Sequence, residues 1–420
     1  MKKALSKFFL LMVTMSIFDQ QTNVTTDAGM SVEMKTFYCD ILIDNAEPEL
    51  VHDRWAQKRN IPKNKGKEIE FRKYDPLPKA LVPLTEGVTP KGKKLNVTAF
   101  KAVVEQYGDF IEYSDILELT TIDNNLVEAT RLLGSQAGRT LDTITREVLN
   151  GGTNVQYAEG QVAGRHLLVG GESTSNHYFT VRAVRKAARF LKTMNAPRID
   201  GSYWAVIHPD CSYDIQDDPD WKRPHEYKDT SNIYDDEIGK VAGVRFVETT
   251  EAKIFHAENL TEAARELTVK SYASKVVTVD EAISTAEAAA LAGRMVIIEG
   301  QLCEIASATA ASAGSATITL KDAPTTAPAA TNKVYPGEAG AKGRDVYSTI
   351  ILGADAYGTT ELTGGGLQHI VKPLGSAGAA DPLNQRGTVG WKATKVAERL
   401  VEAYMIRVET ASSFNDAPLN

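Results

Sequence analysis

One stretch, Ile61 to Asp109, restricts what this 420-residue chain can fold into more than any other. It is basic, with 10 Lys/Arg against 6 Asp/Glu, and it holds 5 of the 16 prolines: Pro62, Pro76, Pro78, Pro83 and Pro90. Proline removes backbone donors and disfavours helix, so the middle of the stretch is expected to be extended chain and turns. Two strand-like runs flank it, Glu68–Tyr74 with Ile69 and Phe71 on one side, and Leu95–Val104. A long hairpin with so little apolar surface is marginal alone. Either another part of the chain covers it or another copy of the protein does.

The rest of the chain has ample length for two or three domains. A net charge of −7 argues against a general nucleic-acid-binding surface, which would be basic, but leaves room for a local basic patch. Three widely separated cysteines, Cys39, Cys211 and Cys303, neither form a disulfide framework nor present a Cys-x-x-Cys zinc pair. The N-terminus imitates a secretion signal, with Lys2, Lys3 and Lys7 before the apolar run Phe8–Val13. That run is short, lacks a small-x-small cleavage site and is too short to span a membrane. A dispensable extension with Met15 as the working start is the favoured expectation over a true signal. The sequons at Asn23, Asn96 and Asn259 would matter only in a secreted chain.

Along the chain, a polar arm leads into a short helix expected near Met34–Leu42. After the extended stretch, Asp123 reads as an N-cap. Leu126, Leu133, Ala137, Leu141, Ile144 and Val148 then recur at helical steps, predicting a helix of about seven turns that ends at Asn150-Gly151-Gly152. A second helix begins after Thr180, with Val181, Val184, Ala188 and Leu191 facing inward and Arg182, Arg185, Lys186, Arg189 and Lys192 outward. That outer face is either simply solvated or a basic surface against nucleic acid or an acidic neighbour. Tyr203–His208 reads as a buried strand, and Val241–Thr249 and Thr349–Gly353 as further core strands. Between Phe255 and Val346 the composition shifts, with 22 alanines from Ala257 to Ala341. A short helix at Thr285–Leu291 and hairpin-like runs at Met295–Ile305 and Ala316–Leu320 predict a small inserted β-rich domain with a weak core of its own. Tyr404, Ile406 and Val408 alternate like a strand, while Val396–Val401 suits helix or strand.

Several constellations come close to chemistry. Gly87, Gly92 and Lys93 match a phosphate-loop spacing, but Lys94 stands where Ser/Thr must hold magnesium, and Pro90 removes an amide. From Asp210 to Glu237 there are 10 Asp/Glu against 3 Lys/Arg. His208, Asp210, Cys211, Asp214, Asp217, Asp218, Asp220 and His225 tempt a metal reading, yet lack the central Gly of a calcium loop and the tight His/Cys spacing of zinc. A solvated loop or a partner-facing surface is expected there instead. Gly364-Gly365-Gly366 reads as a flexible link, and no Gly-x-Ser-x-Gly elbow is present. Neither an enzyme nor a cofactor or metal site is expected. The charge asymmetry is more informative: Lys67, Arg72, Lys73, Lys91, Lys93 and Lys94 face, as candidate subunit contacts, Asp214, Asp217, Asp218 and Asp220. Within one subunit such pairing contributes little, whereas between subunits it steers and registers assembly.

Four long runs carry a resemblance: IPKNKGKEIEFRKYDPLPKALVPLTEGVTP from Ile61, LGSQAGRTLDTITREVLNGGTN from Leu133, NIYDDEIGKVAGVRFVETTEAKIF from Asn232 and TGGGLQHIVKPLGSAGAADPLNQRGTVGWKATK from Thr363. They closely resemble a family of tailed-phage major capsid proteins. With their connections they cover nearly everything except Met1–Thr14 and the Ala-rich insert. The resemblance implies an α+β chain with the Hong Kong phage-type fold: N-terminal arm, E-loop, peripheral (P) domain with a spine helix, and axial (A) domain. It implies residues 1–60 as extension and arm, 61–109 as E-loop and 110–200 as P domain with Asn124–Asn150 as spine. Residues 201–255 and 346–387 would be A domain, interrupted by the inserted domain at 256–345, and 388–420 would return to the P domain. Some relatives crosslink subunits through a Lys and an Asn; no such pair is assigned here.

The function so implied is an icosahedral shell of hexamers and pentamers around double-stranded DNA, assembled in the host cytoplasm and ending in the virion. Its partners would be other copies of itself, packaged DNA by weak non-specific contact, and scaffolding, portal or decoration proteins, with no membrane. The rival from another class is a secreted or surface-exposed adhesion protein.

Overall fold

The computed structural model describes residues 50–74, 77, 79–83, 86–87, 89, 92–116, 125–170, 177–221, 239–362, 365–376 and 382–414. The signal-like start, the Met34–Leu42 helix, the Asp123 cap, Cys39 and part of the glycine run at 364–366 lie outside them. The chain divides into two compact units. The helix α1 (Asn125–Asn150) and the strand β19 (Arg386–Arg399) each contribute residues to both.

The larger unit is built on a seven-stranded sheet. Its order is β5 (Val155–Tyr157), β20 (Met405–Thr410), β16 (Val346–Leu352), β6 (Tyr203–Ile207), β8 (Val244–Glu248) and β7 (Lys240–Val241). The short β9 (Ile254–Phe255) also pairs with β16. Every residue of β16 is buried, as expected of a central strand covered on both faces. Helix α2 (Val181–Thr193) lays Val181, Val184, Ala188 and Leu191 on this sheet, the four positions its periodicity selects. The Thr180 hydroxyl accepts from Ala183 N–H at 3.2 Å and caps it. Phe246 makes T-shaped ring contacts with both Phe179 and Trp221 in this core. The open choice at Val396–Val401 resolves as strand as far as Arg399, because residues 396–399 hydrogen-bond to β17 (Tyr357–Leu362).

The acidic run begins differently from the expected solvated loop. Pro209–Asp217 is a helix, α3, with Pro209 in its first turn, where a missing N–H costs nothing, and Cys211, Ser212 and Ile215 buried. The loop expectation weighted charge over the apolar spacing of Cys211 and Ile215.

Between β9 and β16 the chain builds a closed barrel in the order β10 (Leu267–Ala273), β11 (Val276–Val279), β14 (Ala316–Leu320), β13 (Gln301–Thr309), β12 (Met295–Ile298) and β15 (Lys333–Pro336). Its helix α4 (Thr285–Leu291) starts with a complete capping box, Ser284 to Glu287. The weak core foreseen from few large side chains is offset by closure. Val, Ile and Leu from all six strands fill the interior, and a closed sheet leaves no edge to cover.

The smaller unit contains the N-terminal part of α1, the strands β4 (Glu105–Ser114) and β18 (Gln368–Lys372), and residues 386–394 of β19. Gly108 on β4 is required there. A Cβ would fall 2.6 Å from the Trp391 backbone oxygen, so only a bare backbone lets β4 lie so close to β19.

Candidate functional site

In the larger unit, β1 (Gln57–Ile61) runs parallel to β17, and the chain then rises into β2 (Glu68–Tyr74) and returns as β3 (Val97–Val103). The two pair antiparallel, Phe71 opposite Phe100, as the flanking patterns predict. Phe71 is the anchor, 2% exposed and covered by Arg59 with its guanidinium 5.7 Å above the ring. Gly358 on β17 leaves the space: a Cβ there would sit 3.0 Å from Phe71 Cε1. Beyond this base the described apolar residues are bare. Leu77, Leu81, Val82, Leu95 and Val97 are all exposed, Leu81 at 81% and Val82 at 85%. Single exposed apolar residues are ordinary, but a run of them on one projecting hairpin marks a surface made to be covered.

The candidate contact residues sort into two groups. Lys67, Lys93 and Lys94 are exposed on the hairpin. Arg72 donates from Nε to Glu70 at 2.7 Å on its own strand. Lys73 lies on β2, its side chain outside the described ones, and Lys91 is not described. On the acidic side, Asp218 accepts from Val181 N–H at 2.9 Å at the start of α2. Asp220 pairs with Arg185 at 3.1 Å, and Asp214 accepts from Ser413, while Asp217 is exposed. Burial pushes the Asp214 carboxyl up from its ordinary value, with Ser413 and Ser412 pulling it back. Asp214, Asp218 and Asp220 thus contact their own subunit, and Asp218, at the start of α2, offsets the helix dipole there. Spacing alone could not separate these local duties from partner contact.

Gly87 and Gly92 lack the setting of a phosphate loop among the described residues. Gly87 sits at φ +79 in a turn, and residues 92–96 lead without regular structure into β3 where a phosphate loop would open a helix. Cys211 is buried, its thiol driven up by burial, so it is no thiolate nucleophile. Among the described residues no group of three or more His, Cys, Asp and Glu is gathered as a metal ion requires. No described helix is long and apolar enough to cross a membrane.

Sequence reasoning passed over a buried polar clasp at the root of the hairpin. His52 donates its backbone N–H to Asp142 at 2.7 Å and sets its ring nitrogen Nδ1 2.6 Å from the same carboxylate. Asp53 accepts from Thr145 at 2.6 Å and from the Lys395 ammonium, which also donates to Leu141 O at 2.9 Å. Tyr357 donates to His52 O. The signal was legible in β19: Val389, Trp391, Ala393, Lys395 and Ala397 occupy one alternating face, which makes Lys395 an inward lysine needing a counter-ion. In the smaller unit, Phe110, Ile370 and Trp391 wall a hollow of about 530 Å³ that the sequence did not single out.

The model of a family described as phage capsid protein matches residues 98–264. The capsid protein of the cyanophage Pam1 superposes with a TM-score of 0.53 at 13% identity, covering 88% of this chain and 93% of that one. The capsid of the cyanophage P-SCSP1u gives a TM-score of 0.50 at 12% identity, over 86% of this chain and 87% of that chain. At such identities the likeness carries the fold, which is the Hong Kong phage-type fold of tailed-phage major capsid proteins. No curated protein sequence matches the chain.

Proposed function

We propose that the chain assembles as hexamers and pentamers into an icosahedral shell enclosing double-stranded DNA, in a mechanical and non-enzymatic role. The observation that carries this reading is the hairpin β2–β3. It is anchored at Phe71, and its described residues Tyr74, Leu77, Leu81, Val82, Leu95 and Val97 are exposed, so its apolar surface is completed by a neighbouring copy. In this reading 61–109 is the E-loop, 110–200 the P domain with α1 as spine, 201–255 and 346–387 the A domain, and 388–420 the return to the P domain. The barrel at 256–345 is the variable insert. Lys67, Lys93 and Lys94 then contribute charge at the rim of the subunit contact, where they steer encounter more than they add affinity. Scaffolding, portal and decoration proteins are the further partners such a shell would meet.

Deleting Lys67–Lys94 tests this. The deleted chain is expected to stay folded by circular dichroism and to sediment without forming shells. Normal particles from that deletion, seen by electron microscopy, would refute the role given to the hairpin.

A further inference from the structure

Helix α2 carries Arg182, Arg185, Lys186, Arg189 and Lys192 on its outer face and no acidic residue anywhere. Three of the five sit in its first two turns, against the macrodipole, where cations lower helix stability. Stability alone would not place them there. The fold compensates at that end: Glu159 pairs with Arg182 at 2.7 Å, Asp220 pairs with Arg185 at 3.1 Å, and Lys186 donates to Glu159 O and Gln161 Oε1, each at 3.4 Å. Further along, Arg189 and Lys192 are exposed, and among the described residues neither has a carboxylate in ion-pair reach. They line a shallow hollow of about 470 Å³ with Arg185 and Thr193, floored by the methyl groups of Ala188 and Ala242. Strand β7, with exposed Lys240, packs alongside.

We infer that this face of α2 binds the phosphate backbone of double-stranded DNA. The identity of that polymer rests on the shell reading; the surface itself does not. The stripe runs about 15 Å along the helix, and neighbouring cations lie about 5–6 Å apart at Cβ, which lets successive side chains take successive phosphates. Three of the five are arginines, whose planar guanidinium suits phosphate oxygens. An acidic peptide is the weaker fit, because the hollow offers only alanine methyls where protein partners need apolar anchors.

The test is fluorescence anisotropy of short mixed-sequence duplex DNA with the unassembled full-length chain, between about 50 and 200 mM salt. Arg189→Ala with Lys192→Ala is expected to lower the slope of log affinity against log salt by about 1.8, two phosphate contacts at about 0.9 each. Arg189→Lys with Lys192→Arg is expected to keep the parent slope. An unchanged slope in the alanine variant overturns the inference, and so does an unchanged slope accompanied by lost particle formation, which would make this face a subunit contact. Sedimentation of the parent chain reads the shell separately: absence of particles together with a reduced slope in the variant sinks the shell and leaves the surface standing.

Discussion

Lys395 is the residue on which most local chemistry converges. Its side chain is 2% exposed and its ammonium is held by Asp53 and by Leu141 O. A buried pair adds little net stability over an apolar substitute, but removing one partner leaves the other charge stranded. Lys395→Met is therefore expected to destabilise the chain by about 3–5 kcal/mol in urea unfolding. Asp53→Asn added to it should recover most of that loss, since Thr145 can still donate to the amide oxygen. A single variant within about 1 kcal/mol of the parent would show that water already screens the pair. Glu409 is a second such position, fully buried between Arg165 at 2.7 Å and Arg407 at 2.7 Å, with the Arg165 guanidinium stacked 3.3 Å from the Phe255 ring.

At the scale of elements, the hairpin depends on one aromatic. Phe71→Ala removes the side chain that fills the space above Gly358 and under Arg59. A loss of about 3 kcal/mol is expected there, read locally as roughly 100-fold faster tryptic cleavage within Ile61–Asp109. Unchanged cleavage would place the anchor elsewhere. What was legible in advance follows from the same physics. Phe71 could be assigned a side because strand alternation has a strict period of two, and α2 could be oriented because Val181, Val184, Ala188 and Leu191 repeat at helical spacing. The start of α3 was missed because Asp210, Asp214, Asp217 and Asp218 made the run look solvated, while its two apolar contacts, Cys211 and Ile215, were too few to set a period. The clasp was missed for another reason. His52, Asp142 and Lys395 are distant in sequence, and only the folded chain brings them together. The capsid reading itself came from long runs of residues rather than from any catalytic spacing.

For the whole molecule, the barrel is a self-sufficient insertion. Its core draws on all six of its strands and on Leu291 of α4, and β10 meets β15 to close it. The segment Glu258–Arg344, expressed by itself, is expected to show sheet circular dichroism and one cooperative thermal transition. A disordered fragment would mean that the host sheet completes its core. The two ends of this segment leave the host from β9 and re-enter at β16, where Phe255 and Val346 are hydrogen-bonded partners, about 5 Å apart at Cα. A chain that departs and returns through so narrow a gate puts no demand on the length or shape of what hangs from it. The chain therefore carries a ready socket: any domain whose own termini lie side by side can be grafted between Phe255 and Val346, and in the proposed shell such a graft would turn the particle into a display platform.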